Sequence, residues 1–251
     1  MKLEGHRVLI TGGSAGIGLA LAEDFLAAGC RVAICGRDPQ RLASAEQALP
    51  GLVTLQGDVA EDDDIARLAA GAEERLEGLS ILVNNAGIQI QTLFPADPLE
   101  EIVAGVEREI AVNLTGLVKL TATCLPALAR AEEAAVVNVS SGLALVPKAS
   151  APIYCATKAA VHSFSKALRF QLEEHRPSIR VFEVLPPMVD TQMTAGRGGR
   201  PGQKITTAQV AKETLDGMRR DRYEINVAKV KLLKWVNRLV PGVAERILRK
   251  F

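Results

Sequence analysis

Residues 11–18 read Thr11-Gly12-Gly13-Ser14-Ala15-Gly16-Ile17-Gly18. They follow the apolar run Arg7-Val8-Leu9-Ile10 and open a helical pattern over residues 16–28 that stops at Gly29. A strand that passes through a glycine-rich turn into a helix is the entrance to an α/β unit. Gly12, without a Cβ, permits a tight turn. Gly16 permits a phosphate to approach the backbone, and Gly18 permits the helix to pack closely. The helix start presents free N–H groups and a positive dipole end, the chemistry that holds a pyrophosphate. The G-x-x-x-G-x-G spacing departs from G-x-G-x-x-G, so an ordinary βα turn stays open as the alternative. The position between a first strand and a first helix favours a nucleotide cofactor.

Outward from this turn, strand-like runs recur at 31–35, 52–56, 80–84, 135–140 and 179–185, and helical patterns fill 39–48, 61–76, 99–130 and 153–175. Strands apolar along their whole length, alternating with helices, imply a parallel sheet covered on both faces. The expected fold is α/β, a doubly wound, Rossmann-like sheet in three α-β-α layers. With 251 residues, no repeat and no linker, residues 1–251 read as a single domain. Residues 187–206 read as a substrate loop, because the glycine-rich patch from Gly196 to Gly202 falls where a lid would sit.

Composition excludes several classes. Thirty Lys+Arg against 29 Asp+Glu give no electrostatic case for nucleic acid, and 4% aromatic residues give no stacking platform. Cys30, Cys35, Cys124 and Cys155 form no C-x-x-C pair, so no metal site is expected. They read as reduced thiols of a cytoplasmic protein. The charged start, Met1 to Arg7, does not read as a signal peptide, and no unbroken apolar run of about 18 residues suggests a transmembrane segment.

Further motifs follow in order: Asp58-Val59, Asn84-Asn85-Ala86-Gly87, Asn113 within Val112-Asn113-Leu114, Ser140-Ser141, and Tyr154-x-x-x-Lys158. With the turn at 11–18, this series resembles the compact branch of the short-chain dehydrogenase/reductase family, from residue 5 to about 190. The resemblance implies an oxidoreductase in which Tyr154 is the acid/base. Lys158 assists it and holds the nicotinamide ribose, Ser141 bonds the substrate oxygen, and Asn113 positions a relaying water. It implies cofactor contacts at Gly12, Ser14, Gly16, Ile17, Gly18, Arg37, Asp58, Val59, Asn85, Ala86, Gly87, Pro186, Val189 and Thr191. It also implies a homodimer or homotetramer through the helices at 99–130 and 153–175.

The chemistry of the pair can be read without the family. Free tyrosine has a pKa of about 10, too high for an efficient base near neutrality. A lysine four residues on lies on the same helix face and favours the tyrosinate. Lowering the tyrosine by about three units takes roughly 4 kcal/mol. Ser140 is the alternative to Ser141, although the spacing to Tyr154 favours the latter. His6, His162 and His175 show no triad pattern with an acid and read as structural or surface residues.

Strand two ends at Gly36-Arg37, where an acid would select NAD(H). Glycine leaves room for a 2′-phosphate and Arg37 can pair with it, which favours NADP(H) over NAD(H). Asp38 and Ala15 speak against this, Asp38 as an alternative reader of the ribose. Ile88, Leu143, Ala144, Pro147, Ile153, Pro187 and Met188 read as an apolar pocket wall for a small, uncharged, moderately apolar carbonyl or alcohol. Arg197, Arg200 and Lys204 read as a solvated loop rather than an anion site. Pro187 stands where the family often has glycine. With Arg222-Tyr223-Glu224-Ile225, it is similar to a bacterial subgroup named for the lipoteichoic-acid D-alanylation operon.

Residues 228–251 carry seven Lys/Arg and one Glu. Their apolar residues recur at three or four, interrupted at Pro241-Gly242, so this basic extension reads as two short amphipathic helices. Docking on the sheet's edge or on a partner subunit is favoured over membrane-surface contact. A nucleotide-binding regulator without turnover, or a peripheral membrane reductase of lipid-derived carbonyls, are the rival functions.

Overall fold

The computed structural model describes residues 1–196 and 204–249; Arg197 and Arg200 lie outside them. The strands are β1 (Arg7–Thr11), β2 (Arg31–Gly36), β3 (Val53–Gln56), β4 (Ile81–Asn84), β5 (Ala134–Val139), β6 (Ile179–Leu185) and β7 (Glu224–Asn226). All neighbours pair in parallel, in the order β3-β2-β1-β4-β5-β6-β7. The winding reverses between β1 and β4, and a cleft opens there at the carboxyl ends of the strands.

The period of two along β1 divides the core. Val8 and Ile10 pack with Leu21 and Phe25 of α1 (Gly16–Ala27), with α2 (Pro39–Ala48) and with α7 (Thr207–Arg219). Leu9 turns to the opposite face, toward α3 (Asp62–Leu76), α5 (Gly116–Leu128) and α6 (Pro152–His175). A buried polar ladder ties these layers together. The Asn84 side chain donates to Thr121 Oγ1 and Asn138 Oδ1, each at 2.9 Å, and Asn138 donates to Ser165 Oγ at 2.9 Å.

The helical pattern over 99–130 is not uniform. α4 (Leu99–Ile110) passes into α5 through one π-helical turn, Ala111–Thr115, which contains Asn113. By length and composition Leu99–Leu128 could cross a membrane, yet 44% of its most apolar window is buried within the protein. Neither α7 nor β7 was among the expected elements, although Thr206 caps α7 and Val210, Ala211, Thr214, Leu215 and Met218 mark its buried face at helical spacing. β7 has only three residues, too few for alternation to register. All four cysteines are free and buried, and burial pushes Cys35 and Cys124 up to about 12, so these two are not thiolates at neutral pH.

The extension forms α8 (Val230–Leu239) and α9 (Pro241–Leu248). Its inner side packs on the loop after β5, and Lys234 of α8 bonds Glu224 of the edge strand β7, so the extension also meets the sheet's edge. Val230 is buried, a methyl added at Gly142 would lie 3.1 Å from Val230 Cγ2, and Asn237 Nδ2 donates to Leu145 O at 3.1 Å.

Candidate active site

The turn at 11–18 is built by its glycines. Gly12 and Gly16 adopt φ of +62° and +58°, a region that disfavours side chains. A Cβ on Gly18 would fall 2.4 Å from Gly12 O, so this residue sets how tightly α1 seats behind the turn. α1 has no side-chain cap, and its first residues, Gly16 and Ile17, line the cleft. The backbone amides of Asn85 and Ala86 donate to Thr11 Oγ1 at 2.9 Å, and Asn85 Nδ2 donates to Thr11 O at 2.9 Å. The end of β4 is thereby held against the end of β1.

The cleft holds about 670 Å³. Of the residues singled out from the sequence, the remaining cofactor candidates line it, together with Ser141, Tyr154 and Lys158. Gly18 and Asn113 do not; both support the wall from behind. Asn113 is fully buried. Its Oδ1 accepts from Ile88 N at 2.8 Å, while Nδ2 donates to Ile88 O at 2.9 Å and to Thr157 Oγ1 at 3.1 Å. The π turn thus directs an amide into the strand β4 loop and holds it against α6.

Tyr154 and Lys158 lie one turn apart on α6, with Lys158 Nζ 5.7 Å from the tyrosine ring centroid. Lys158 is buried and donates to Val139 O at 2.9 Å. Burial lowers its pKa to about 8 from an ordinary 10.5, and the carboxylate of Glu183 partly opposes the fall. Ser141 Oγ accepts from Leu143 N at 3.1 Å, a bond that leaves its own O–H as a donor. Ser140 instead donates to buried Glu183 at 2.5 Å. That commitment separates two serines that the sequence left adjacent.

Glu183 was not anticipated, and it gives His162 a structural partner. His162 Nδ1 lies 2.7 Å from Glu183 Oε2, so His162 does meet an acid, one turn beyond Lys158. The carboxylate sits between Ser140 and His162, behind the cleft. This is a buried brace for the end of β5, not a nucleophilic triad. His6 also approaches an acid, Glu133, at 3.6 Å.

At the end of β2, Arg37 Nη1 lies 3.4 Å from Asp58 Oδ2, which Arg108 also approaches at 3.4 Å. Asp38 caps α2, accepting from Gln40 N at 3.0 Å and Arg41 N at 3.1 Å. The Asp38-Pro39 pair is a readable cap signal. Arg41, which also lines the cleft, carries no comparable signal; it donates to Gln192 at 2.8 Å across the opening. Ile88, Leu143, Pro187 and Met188 line the main cleft, as expected of a pocket wall. Ala144 and Pro147 instead line a second cavity against α9, and Ile153 lines neither. Val230, Leu233 and Leu248 complete the apolar wall from the extension. Lys204 is tied back to the loop by a bond to Thr194 O at 2.7 Å.

The glycine cradle, the uncapped helix start and the buried lysine fit a nicotinamide dinucleotide. Fold and site together define a dinucleotide-binding α/β oxidoreductase. Residues 6–200 match the family model described as short chain dehydrogenase, and the chain belongs to that family. It is 44% identical over 237 residues to the "Uncharacterized oxidoreductase DltE" of Bacillus subtilis (strain 168), covering 93% of this chain and 92% of that protein. A short chain dehydrogenase from Burkholderia cenocepacia J2315, solved in complex with NADP, superposes with a TM-score of 0.84 at 27% identity over 99% of both chains. A Burkholderia phymatum short chain dehydrogenase/reductase, solved with NAD, shares the fold at a TM-score of 0.83 and 21% identity, covering 95% of this chain and 96% of that one.

Proposed function

We propose that this oxidoreductase acts with NADP(H) on a small, uncharged, moderately apolar carbonyl or secondary alcohol, with Tyr154 as the acid/base. The observation that carries this reading is the convergence of Ser141, Tyr154 and Lys158 on the cleft that the glycine turn opens. When bound, the cofactor supplies or accepts the hydride. The amides at Gly16 and Ile17 would hold the pyrophosphate. Asp58 and Val59 would flank the adenine, while Pro186, Val189 and Thr191 would border the nicotinamide. Tyr154 holds the proton that the substrate oxygen gains on reduction and takes it back on oxidation. Lys158, charged below about 8, stabilises the tyrosinate and bonds the ribose. Ser141 donates to the substrate oxygen. Asn113 positions the loop at Ile88 and the helix at Thr157, and so acts through its neighbours.

The preference for NADP(H) rests on Gly36 and on two guanidinium groups that line the cleft, Arg37 after β2 and Arg41 in the first turn of α2. Asp38 is engaged as a helix cap, which supports assigning the 2′-position to Arg37. Exposed Leu99, Val103 and Phe170 on α4 and α6 support a homodimer through these helices, which light scattering tests. Four buried free thiols support a cytoplasmic location.

The deciding experiment screens carbonyls and alcohols with both cofactors at the nicotinamide absorbance. With a substrate found, Tyr154→Phe is expected to lose at least about a hundredfold in kcat while retaining cofactor affinity. Unchanged turnover would remove the acid/base assignment. Tight cofactor binding without turnover on any substrate would favour a regulator.

A further inference from the structure

Beyond the oxidoreductase reading, we propose that α8 and α9 form a docking face for an anionic lipid bilayer, which places the apolar wall of the cleft next to the membrane. The two sides of α8 differ in what they meet. Val230, Leu233 and Asn237 face the protein, against the loop after β5 and the cleft. Leu232, Trp235 and Leu239 point away and are 67%, 62% and 72% exposed, and Val240 and Val243 extend the same apolar surface onto α9. Residues 232, 235 and 239 stand three and four apart, so they form one stripe. Packing on the protein accounts for the inner side alone.

Charge identifies the occupant. The extension holds seven Lys/Arg and one Glu. Lys231 and Arg238, seven residues apart, stand on one flank of the stripe. Among the described residues, Arg238 has no acidic partner within ion-pair distance, while Lys231 has only Glu213 at 3.8 Å. An isologous contact with a second copy would set this basic face against itself. Nucleic acid would find cations but no use for a leucine and tryptophan stripe. An anionic bilayer satisfies both: its headgroups take the cations, and its acyl boundary takes the apolar stripe, with tryptophan at the interface. Trp235 is the chain's single tryptophan and sits at the centre of the stripe.

The test uses the full chain and two vesicle compositions, phosphatidylcholine alone and phosphatidylcholine with phosphatidylglycerol. The wild type should sediment with the anionic vesicles, weakly or not at all with the neutral ones, and less as salt rises. Its tryptophan emission should shift to the blue on adding anionic vesicles, a readout that needs no variant. Trp235→Glu, at an exposed position, should abolish sedimentation with the anionic vesicles while the far-ultraviolet spectrum is unchanged. Lys231→Ala with Arg238→Ala should weaken binding by about tenfold or more, since each cation near such a surface contributes roughly fivefold. Unshifted tryptophan emission with no sedimentation would overturn the proposal. So would a concentration-dependent assembly that Trp235→Glu dissolves without vesicle binding, which would give the face to a second copy. Neither readout involves turnover, so failure here leaves the oxidoreductase reading intact.

Discussion

The two sides of the cleft are built on different principles. On the cofactor side, backbone sets the fit: a Cβ on Gly18 would press 2.4 Å from Gly12 O, and the Asn85 side-chain amide pins the carbonyls of Thr11 and Gly12. On the substrate side, side chains meet side chains: a methyl at Gly142 would meet Val230 Cγ2 at 3.1 Å, and Leu233 and Leu248 fill out the wall. Backbone cannot yield without breaking hydrogen bonds, whereas a valine methyl can shift by a few tenths of an ångström. One side is therefore tied to its residue types, and the other can change its residues and still fold.

The sharpest way to break this comparison is Gly18→Ala against Gly142→Ala. Overpacking of a rigid site costs about 1–3 kcal/mol, and Gly18→Ala should fall at the upper end, because the obstructing atom is a carbonyl oxygen. It should lower the melting temperature and weaken cofactor binding together. Gly142→Ala should shift the melting temperature far less and leave cofactor affinity unchanged. Thermal melts and a fluorescence titration with NADPH check both. Equal effects would show the two walls to be equally rigid.

This difference also explains what was legible in the sequence. The turn, Asn85-Ala86-Gly87 and the Tyr154/Lys158 spacing are demands of backbone geometry and of one helix turn, so they leave fixed residue types at fixed intervals. Asn113 was legible as a polar residue out of place in a helix, but the π turn that directs it was not, since a π turn has no periodic signature. Glu183 was hidden in an apolar strand run, and its partners Ser140 and His162 are distant in sequence. The amphipathic spacing of the extension was visible. Which of its two apolar sides faced the protein was not, because periodicity marks stripes and says nothing of what covers them.

On the cofactor side, Arg37→Ala should weaken NADPH about tenfold and NADH hardly at all. Charge-assisted contacts contribute roughly 1.5–3 kcal/mol, but a side chain 54% exposed falls at the low end. Gly36→Asp should reverse the preference. A Cβ there lies 3.2 Å from Ser14 Oγ, and so points at the turn proposed to hold the phosphates. If Arg37→Ala weakens both cofactors equally, Arg41 becomes the better candidate for the phosphate contact.

Lys158 joins the two sides, and its titration gives a smaller, pH-dependent effect. With a pKa near 8, its ammonium is complete at pH 6.5 and mostly lost by pH 9. NADPH affinity should therefore be flat below about 7 and fall severalfold through 8, a step that Lys158→Met abolishes. Stability has the opposite sign. Between about 8 and the ordinary 10.5 the folded chain binds fewer protons than the unfolded one, so this group alone makes stability rise with pH across that window. Below 8 both states carry the proton, and the penalty of burying the charge is fully present. A step in affinity that survives in Lys158→Met would assign it to another group.

The smallest expected effect tests whether the two sides are separable. Asn237 Nδ2 bonds Leu145 O at 3.1 Å, the polar tether between α8 and the loop after β5. Losing one such bond costs about 0.5–1.5 kcal/mol, here at the low end because the site is only partly buried and water can replace the amide. Asn237→Ala should leave NADPH affinity unchanged, since the glycine turn lies across the cleft and is held by its own backbone bonds. It should loosen the wall made by Val230 and Leu233, raising KM for an apolar substrate more than it lowers kcat. Protease digestion should cut α8 and α9 sooner than in the wild type, while the sheet stays intact. A fall in cofactor affinity that matches the rise in KM would mean that the extension braces the whole cleft, and the division between a rigid cofactor side and a yielding substrate side would not hold.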